Sequence, residues 1–202
     1  MQIVGRMKQI ELPISRSFAT RPIDIWEARG KLASGECTKI PLGSIDFSCC
    51  GKELDQARTN GGLIIWSAIC LEQKLERIIT RYMFPNTEAP NDRGRQFFES
   101  NIVKGDILSY AAKKRLAVNL VNDAGLLKGK DKDGFSRVLK KVMDFRNAFA
   151  HGGIEYIHGT GCVLSYSQGG SKRETLSDDY WKTIEESFRV AHDLADRVIQ
   201  KL

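Results

Sequence analysis

Apolar residues recur at helical spacing from residue 63 onward. In the first segment the interval alternates between four and three residues, which places these side chains on one face of an α-helix: Ile64, Ala68, Leu71, Leu75, Ile78 and Tyr82. Pro85 and the polar residues after it end this predicted helix. We therefore expect an amphipathic helix whose apolar stripe lies against a core.

Two further helices are predicted over about residues 105–126 and 135–151. In the first of them the apolar side chains should face inward: Ile107, Leu108, Ala111, Leu116, Leu120 and Val121. The basic run Lys113, Lys114 and Arg115 should then point outward. The polar segment GKDKDG predicts a loop between the two helices. Gly152 and Gly153 should end the second one, since glycine tolerates the left-handed conformation.

A small β-hairpin and a fourth helix complete the pattern. Two short alternating runs at 154–157 and 162–166, joined by HGTG, predict the hairpin, and the glycine-rich QGGSKRE predicts a loop. Ser177 is a suitable N-cap for a last helix with a very regular stripe: Trp181, Ile184, Phe188, Ala191, Ala195, Val198 and Leu202. The predicted fold is mainly α, a four-helix bundle with a β-hairpin insert between its third and fourth helices. The spacing places these residues in its core: Leu71, Leu75, Val142, Phe149, Phe188 and Ala195.

Residues 1–60 lack such a pattern. Prolines interrupt them, and only 22–34 suggests a short helix. We expect an N-terminal arm or small subdomain over 1–60 and a helical bundle over 61–202.

Composition excludes several classes of protein. No apolar run reaches the length of a membrane-spanning helix, and the first residues lack the continuous apolar stretch of a secretory signal. The five cysteines and three histidines show no zinc-binding spacing, so we expect neither a disulfide scaffold nor a metal or other cofactor. These patterns favour a cytoplasmic protein without a membrane partner.

The basic excess of the chain is local. The net charge is +6, and the segment 104–141, with ten basic and four acidic residues, carries all of it. Such a field attracts phosphate polymers such as RNA, and the alternative is an ordinary solvated helix face. If RNA binds there, Lys113, Lys114 and Arg115 are the candidate contacts.

One group of side chains near the end of the third predicted helix suggests chemistry. Arg146 borders the apolar stripe, and a buried arginine needs a partner or a cleft. Asn147 and His151 are four residues apart, so their side chains can meet on one face. Together these three form a plausible anion-handling group. In the alternative, Arg146 pairs with an acid of the first helix, Glu72 or Glu76, and His151 caps its own helix.

The segment RNAFAHG resembles the R-x4-6-H motif of the HEPN superfamily, including the polar residue after the arginine. The order of helices over 61–202, with IWSAICLEQKLERII first and AAKKRLAVNLV second, is also similar to the four-helix HEPN layout. The form FRNAFAHG, followed by a hairpin, is particularly similar to branches of the superfamily that include the mannitol operon repressor-like proteins.

The resemblance implies a metal-independent endoribonuclease of a toxin, defence or RNA-processing system. Arg146 would stabilise the scissile phosphate, His151 would transfer protons, and Asn147 would orient either of them. It also implies a homodimer, in which two copies of the motif share a cleft, and an antitoxin or regulatory protein as partner. The alternative is a non-catalytic HEPN module that binds nucleic acid or protein, such as a transcriptional regulator.

Overall fold

The computed structural model describes residues 47–85, 92–105 and 107–202. Over these ranges the chain is mainly helical, as predicted, with five α-helices and one small antiparallel sheet. The elements are α1 (Phe47–Met83), α2 (Arg93–Phe97), which continues into a π-helix (Phe98–Val103), α3 (Tyr110–Asp123), α4 (Gly129–His151), β1 (Gly153–Ile157), β2 (Gly161–Ser167), β3 (Ser171–Thr175) and α5 (Asp178–Ile199). Most of the predicted arm, including the short helix at 22–34, lies outside the described residues.

The first helix is much longer than its apolar stripe predicts. We expect it from residue 63, but α1 begins at Phe47 and continues without a break through position 60, where we placed a domain boundary. Its N-terminal half extends the buried face through Ala57 and Asn60. Gly61 does not interrupt the helix, and a Cβ atom added there would lie 3.0 Å from Cδ1 of Phe149. The glycine therefore lets α4 approach α1 closely.

The helices enclose a core that matches the predicted stripes. Helix α1 packs against α3, α4 and α5, and α4 packs against α5. All six side chains that the spacing assigns to the centre of the core are buried: Leu71, Leu75, Val142, Phe149, Phe188 and Ala195. For α1, α4 and α5, helical periodicity therefore correctly indicates the apolar interior.

Helix α3 differs from the prediction in the residue at which it begins and in the face that it buries. It begins at Tyr110, because the Ser109 hydroxyl accepts a hydrogen bond from the amide of Ala112 at 3.3 Å and caps the helix. Ile107 therefore precedes the helix and is 66% exposed, so its predicted inward position is wrong. The buried side chains of α3 are Lys113, Ala117 and Val121.

Helix α4 begins earlier than predicted and ends for a different reason. GKDKDG forms its first turns rather than a loop, and Arg197 of α5 binds Asp131 there at 2.5 Å. At the other end Gly152 has φ −90° and ψ 170°, an extended conformation rather than a left-handed one. A Cβ atom at Gly152 would collide with the carbonyl oxygen of Ala148 and lie 2.9 Å from that of Ser165. This glycine is needed for space.

The predicted hairpin is present as β1 and β2, and a third strand extends it. The sheet order is β1-β2-β3, with antiparallel pairing of Ile154 with Leu164 and of Leu164 with Glu174. Strand β3 occupies part of the segment that we predicted as a loop. After it, the Ser177 hydroxyl accepts a hydrogen bond from the amide of Tyr180 at 3.3 Å, which confirms the predicted cap of α5.

Candidate functional site

Arg146 lies about one and a half turns before the end of α4, and its partly buried side chain lines a large cleft. Its Nη1 donates a hydrogen bond to Oδ1 of the next residue, Asn147, at 3.0 Å. Within the described residues no acid forms an ion pair with Arg146. An arginine side chain carries a positive charge at physiological pH, so this one is available to an anion that enters the cleft.

Glu72 and Glu76, the acids considered as partners of Arg146, bind a lysine instead. The buried Lys113 donates to Oε1 of Glu72 at 2.7 Å and to Oε1 of Glu76 at 2.6 Å. Burial alone would lower the pKa of Lys113, but the hydrogen bonds and charges of both carboxylates outweigh it and raise the pKa. Lys113 is therefore charged and neutralises much of this acidic pair.

The predicted outward position of Lys113 is therefore wrong. It is 5% exposed, since it occupies the face of α3 that packs on α1. Of the other two predicted RNA contacts, Lys114 is partly buried and Arg115 is exposed, and neither lines the cleft. The three basic side chains therefore differ in exposure, from the buried Lys113 to the exposed Arg115.

His151 is the last residue of α4 and is exposed to solvent. It lies five positions after Arg146, and a helix turns about 100° per residue, so the two side chains leave α4 about 140° apart. Within the described chain the imidazole of His151 forms no hydrogen bond, so it does not cap its own helix, which was the alternative considered for this residue. Asn147 uses its amide oxygen for Arg146. The three motif residues are close along the helix, but only Arg146 lines the cleft.

The cleft has a volume of about 1210 Å³ and lies between α1, the α2–π-helix segment, the start of α3 and α4. We call it the arginine cleft, because its lining includes four arginines: Arg77, Arg81, Arg95 and Arg146. The three acids of its lining all form ion pairs, Glu72 and Glu76 with Lys113, and Glu99 with Lys104 at 2.7 Å. Positive charge therefore exceeds negative charge along this surface, which suits an anionic ligand.

Tyr110, at the first position of α3, adds a polar group to the same wall. Its hydroxyl is shielded from solvent and has no hydrogen-bond partner in the described part of the chain. Burial is the main cause that raises the pKa of the Tyr110 hydroxyl, and the charge of Glu72 raises it further. The charge of Arg146 lowers it. The hydroxyl is therefore protonated and lies within electrostatic reach of both side chains.

Sequence reasoning did not identify the arginines of α1 and α2. Gln73, Arg77 and Arg81 are spaced by four residues and line the cleft together, so a polar stripe beside the apolar one was the available signal. Arg81 donates from Nη1 to the carbonyl oxygen of Ile199 at 3.0 Å, which fixes it near the end of α5. Arg95 comes from a separate element, and no spacing connects it to the others.

A second histidine lies in the core. His192 of α5 is 3% exposed, and its Nε2 lies 3.2 Å from the carbonyl oxygen and 3.3 Å from the hydroxyl of Ser67. Burial and the positive charge of Lys74 lower its pKa to about 4. Because solvent does not reach this pair, we assign it a structural role.

No group of three or more histidine, cysteine or carboxylate side chains in the described ranges could hold a metal ion. None of the described helices has the length and apolar character that crossing a bilayer requires.

Comparison with known proteins adds no relative. No protein-family model, no curated protein and no solved structure matches the chain.

Proposed function

We propose that the protein is a metal-independent endoribonuclease of HEPN type that cleaves single-stranded RNA. One observation supports this most: Arg146 lines a cationic cleft without an acidic partner among the described residues, and an exposed histidine ends the same helix. Cleavage of RNA by its own 2′-hydroxyl requires stabilisation of charge on the phosphate and transfer of protons. Arginine and histidine supply these two functions.

In the proposed reaction the 2′-oxygen attacks the adjacent phosphorus atom, and the bond from phosphorus to the 5′-oxygen breaks. His151 accepts the proton of the 2′-hydroxyl or donates one to the leaving 5′-oxygen. Arg146 stabilises the extra negative charge on the phosphate oxygens, and its hydrogen bond to Asn147 holds the guanidinium in place. The products are a 2′,3′-cyclic phosphate and a 5′-hydroxyl.

A homodimer is part of this proposal. One chain offers a single histidine at the motif, whereas the reaction benefits from one group that accepts a proton and another that donates one. The divergence of Arg146 and His151 around α4 gives a further reason, since two copies related by a two-fold axis can supply the missing group to each other. In this proposal the four-helix HEPN bundle consists of α1, α3, α4 and α5. The dimer acts in the cytoplasm. An antitoxin or regulatory protein is its further partner.

A second candidate function is a non-catalytic HEPN module that binds nucleic acid or a protein, such as a transcriptional regulator. The position of His151 favours it, because the imidazole lies outside the lining of the arginine cleft. A cationic cleft that the imidazole does not line can bind an anion without cleaving it.

Incubation with single-stranded RNA in EDTA tests the catalytic proposal. We expect Arg146→Ala to lower the cleavage rate by roughly 10²–10³-fold and His151→Ala by roughly 10²–10⁴-fold. His158→Ala is the matched control, since His158 is also exposed and lies in the turn between β1 and β2. Circular dichroism should show that all three variants are folded. If the wild-type protein binds RNA but leaves it intact over hours, the binding module replaces the ribonuclease.

A further inference from the structure

The ion pairs of the arginine cleft determine which of its cations are available to a ligand. Lys113 and Lys104 are occupied by the three acids of the lining, and Arg81 is bound to the carbonyl oxygen of Ile199. Arg77 differs, because it is exposed and no acid of the described residues pairs with it. Arg95 has a further interaction within the chain, and Arg146 donates only to the neutral amide oxygen of Asn147 among the described residues. Arg77 on α1 and Arg146 on α4 are thus the two arginines of the lining with the least competition for an anion.

The chemistry of these two groups favours phosphate. A guanidinium presents a planar fork of donors that matches two phosphate oxygens, and it remains charged at every physiological pH. The start of α3 lines the same cleft through Ser109 and Tyr110, and the positive end of the helix dipole adds to the attraction for an anion. The two guanidinium groups and the N-terminus of α3 therefore all contribute positive potential to the arginine cleft.

The size of the cleft favours a strand over a single small anion. Its volume of about 1210 Å³ exceeds the range of roughly 300–1,000 Å³ in which small ligands are usually bound. Its lining contains one aromatic residue, Tyr110, so it offers little for the stacking of successive bases. A ligand held there is bound through its backbone and not through the identity of its bases.

We propose that the arginine cleft binds the sugar–phosphate backbone of the RNA strand next to the cleaved bond, with Arg77 and Arg146 as its phosphate contacts. This inference rests on the proposed function, because Arg146 then connects the bound strand with the reacting phosphate. Lys113 contributes without touching the strand, since it neutralises the two carboxylates that would otherwise repel it. Binding in the cleft is independent of base sequence and depends strongly on salt.

The binding of a short RNA that carries 2′-O-methyl groups tests this inference separately from cleavage. Such an RNA lacks the attacking hydroxyl, so fluorescence anisotropy measures its binding to the wild-type protein without any reaction. We expect Arg77→Gln to weaken binding about tenfold and to reduce the slope of log K against log salt by about one. Arg146→Gln should have a similar effect. Arg137→Gln is the matched control, since Arg137 is an exposed arginine of α4 outside the cleft, and should bind normally.

The outcomes separate this inference from the proposed function. If Arg77→Gln binds the strand as tightly as the wild-type protein and with the same salt dependence, the arginine cleft is not the strand site, even where Arg146→Ala still abolishes cleavage. If a mononucleotide competes as well as the strand at equal concentration, the cleft is a site for a small phosphate and the inference is also wrong. If Arg77→Gln weakens binding but no RNA is ever cleaved, the strand site stands and only the ribonuclease proposal fails.

Discussion

The Nζ atom of Lys113 lies 2.6 Å from Oε1 of Glu76, inside the wall of the arginine cleft. The two side chains are only 6% and 11% exposed, and Glu72 binds the same ammonium group at 2.7 Å. Charges buried this deeply are tolerated only in each other's presence. The cluster therefore joins α3 to α1 and at the same time reduces the negative charge of two carboxylates beside the cleft.

Lys113→Met should destabilise the protein by about 3–5 kcal/mol, because it leaves two largely buried carboxylates without their cation. Denaturant unfolding followed by circular dichroism measures this change. Lys114→Met is the matched control on the same helix, and we expect it to change the free energy of unfolding by less than about 1 kcal/mol, since no acid binds Lys114 in the described residues.

The triple variant Lys113→Met, Glu72→Gln, Glu76→Gln shows whether charge is the cause. We expect it to recover much of the stability lost by Lys113→Met, because no uncompensated charge remains. A triple variant as unstable as the single one would mean that the shape of the lysine side chain matters more than its charge.

Lys113 also shows where the sequence stops being informative. Apolar spacing correctly predicts the stripes of α1, α4 and α5, since burial of one helix face imposes the period. The rotation of α3 depends on an ion pair with residues about 40 positions earlier, and no local pattern contains that information. A lysine is assigned to solvent by default, and only the tertiary structure reveals its two partners.

The candidate site was predictable in part for the same reason. Arg146, Asn147 and His151 are visible as a short motif at the end of one helix. The arginine cleft joins that helix to residues from α1 and α2, which meet only in the folded chain. Strand β3 was not predicted, because SKRET has no alternation of apolar and polar residues. This segment is a strand because it pairs with β2, and its own sequence does not indicate that pairing.

Gly152→Ala should destabilise the protein by about 1–3 kcal/mol, because its Cβ atom has no space between the carbonyl oxygens of Ala148 and Ser165. Thermal unfolding measures the loss. Gly153→Ala is the matched control, since a Cβ atom at that position meets nothing within 4 Å. Equal unfolding temperatures for the two variants would contradict the steric account of how α4 ends.

Stability should rise with pH between about pH 4 and pH 6.5 because of His192. In the folded protein burial lowers its pKa to about 4, from an ordinary value of 6.5. Across this window the unfolded chain therefore binds more protons than the folded protein, and acidification favours unfolding. With about 1.4 kcal/mol for each pKa unit, the loss at the acidic end is on the order of 3 kcal/mol.

Denaturant unfolding at several pH values, with the wild-type protein and His192→Gln, measures this contribution. We expect a smaller pH dependence in the variant, although it also loses the contact with Ser67 and is less stable at neutral pH. His158→Gln is the control, because this exposed side chain should leave the pH profile unchanged. An identical slope in all three proteins would exclude His192 as the source.

The proposed homodimer predicts complementation between two inactive variants. If the two copies of the motif share one cleft, a mixed dimer of Arg146→Ala and His151→Ala keeps one arginine and one histidine, whereas each variant alone lacks one of the two groups entirely. An equal mixture should therefore be more active than either variant alone. Light scattering of the wild-type protein at micromolar concentration should give the mass of two chains. A monodisperse monomer, or a mixture that stays inactive after exchange of subunits, would contradict the dimeric site.

The continuity of α1 through position 60 bears on how the protein can be divided for experiments. A fragment that begins at residue 61 would start in the middle of a 37-residue helix and would lack Ala57 and Asn60, which are fully buried in the intact chain. Such a fragment would expose the core where Gly61 packs against Phe149. Phe149 lies three residues after Arg146 on α4. An N-terminal truncation that keeps the core intact should therefore begin at or before residue 47. A fusion partner should be attached ahead of that position.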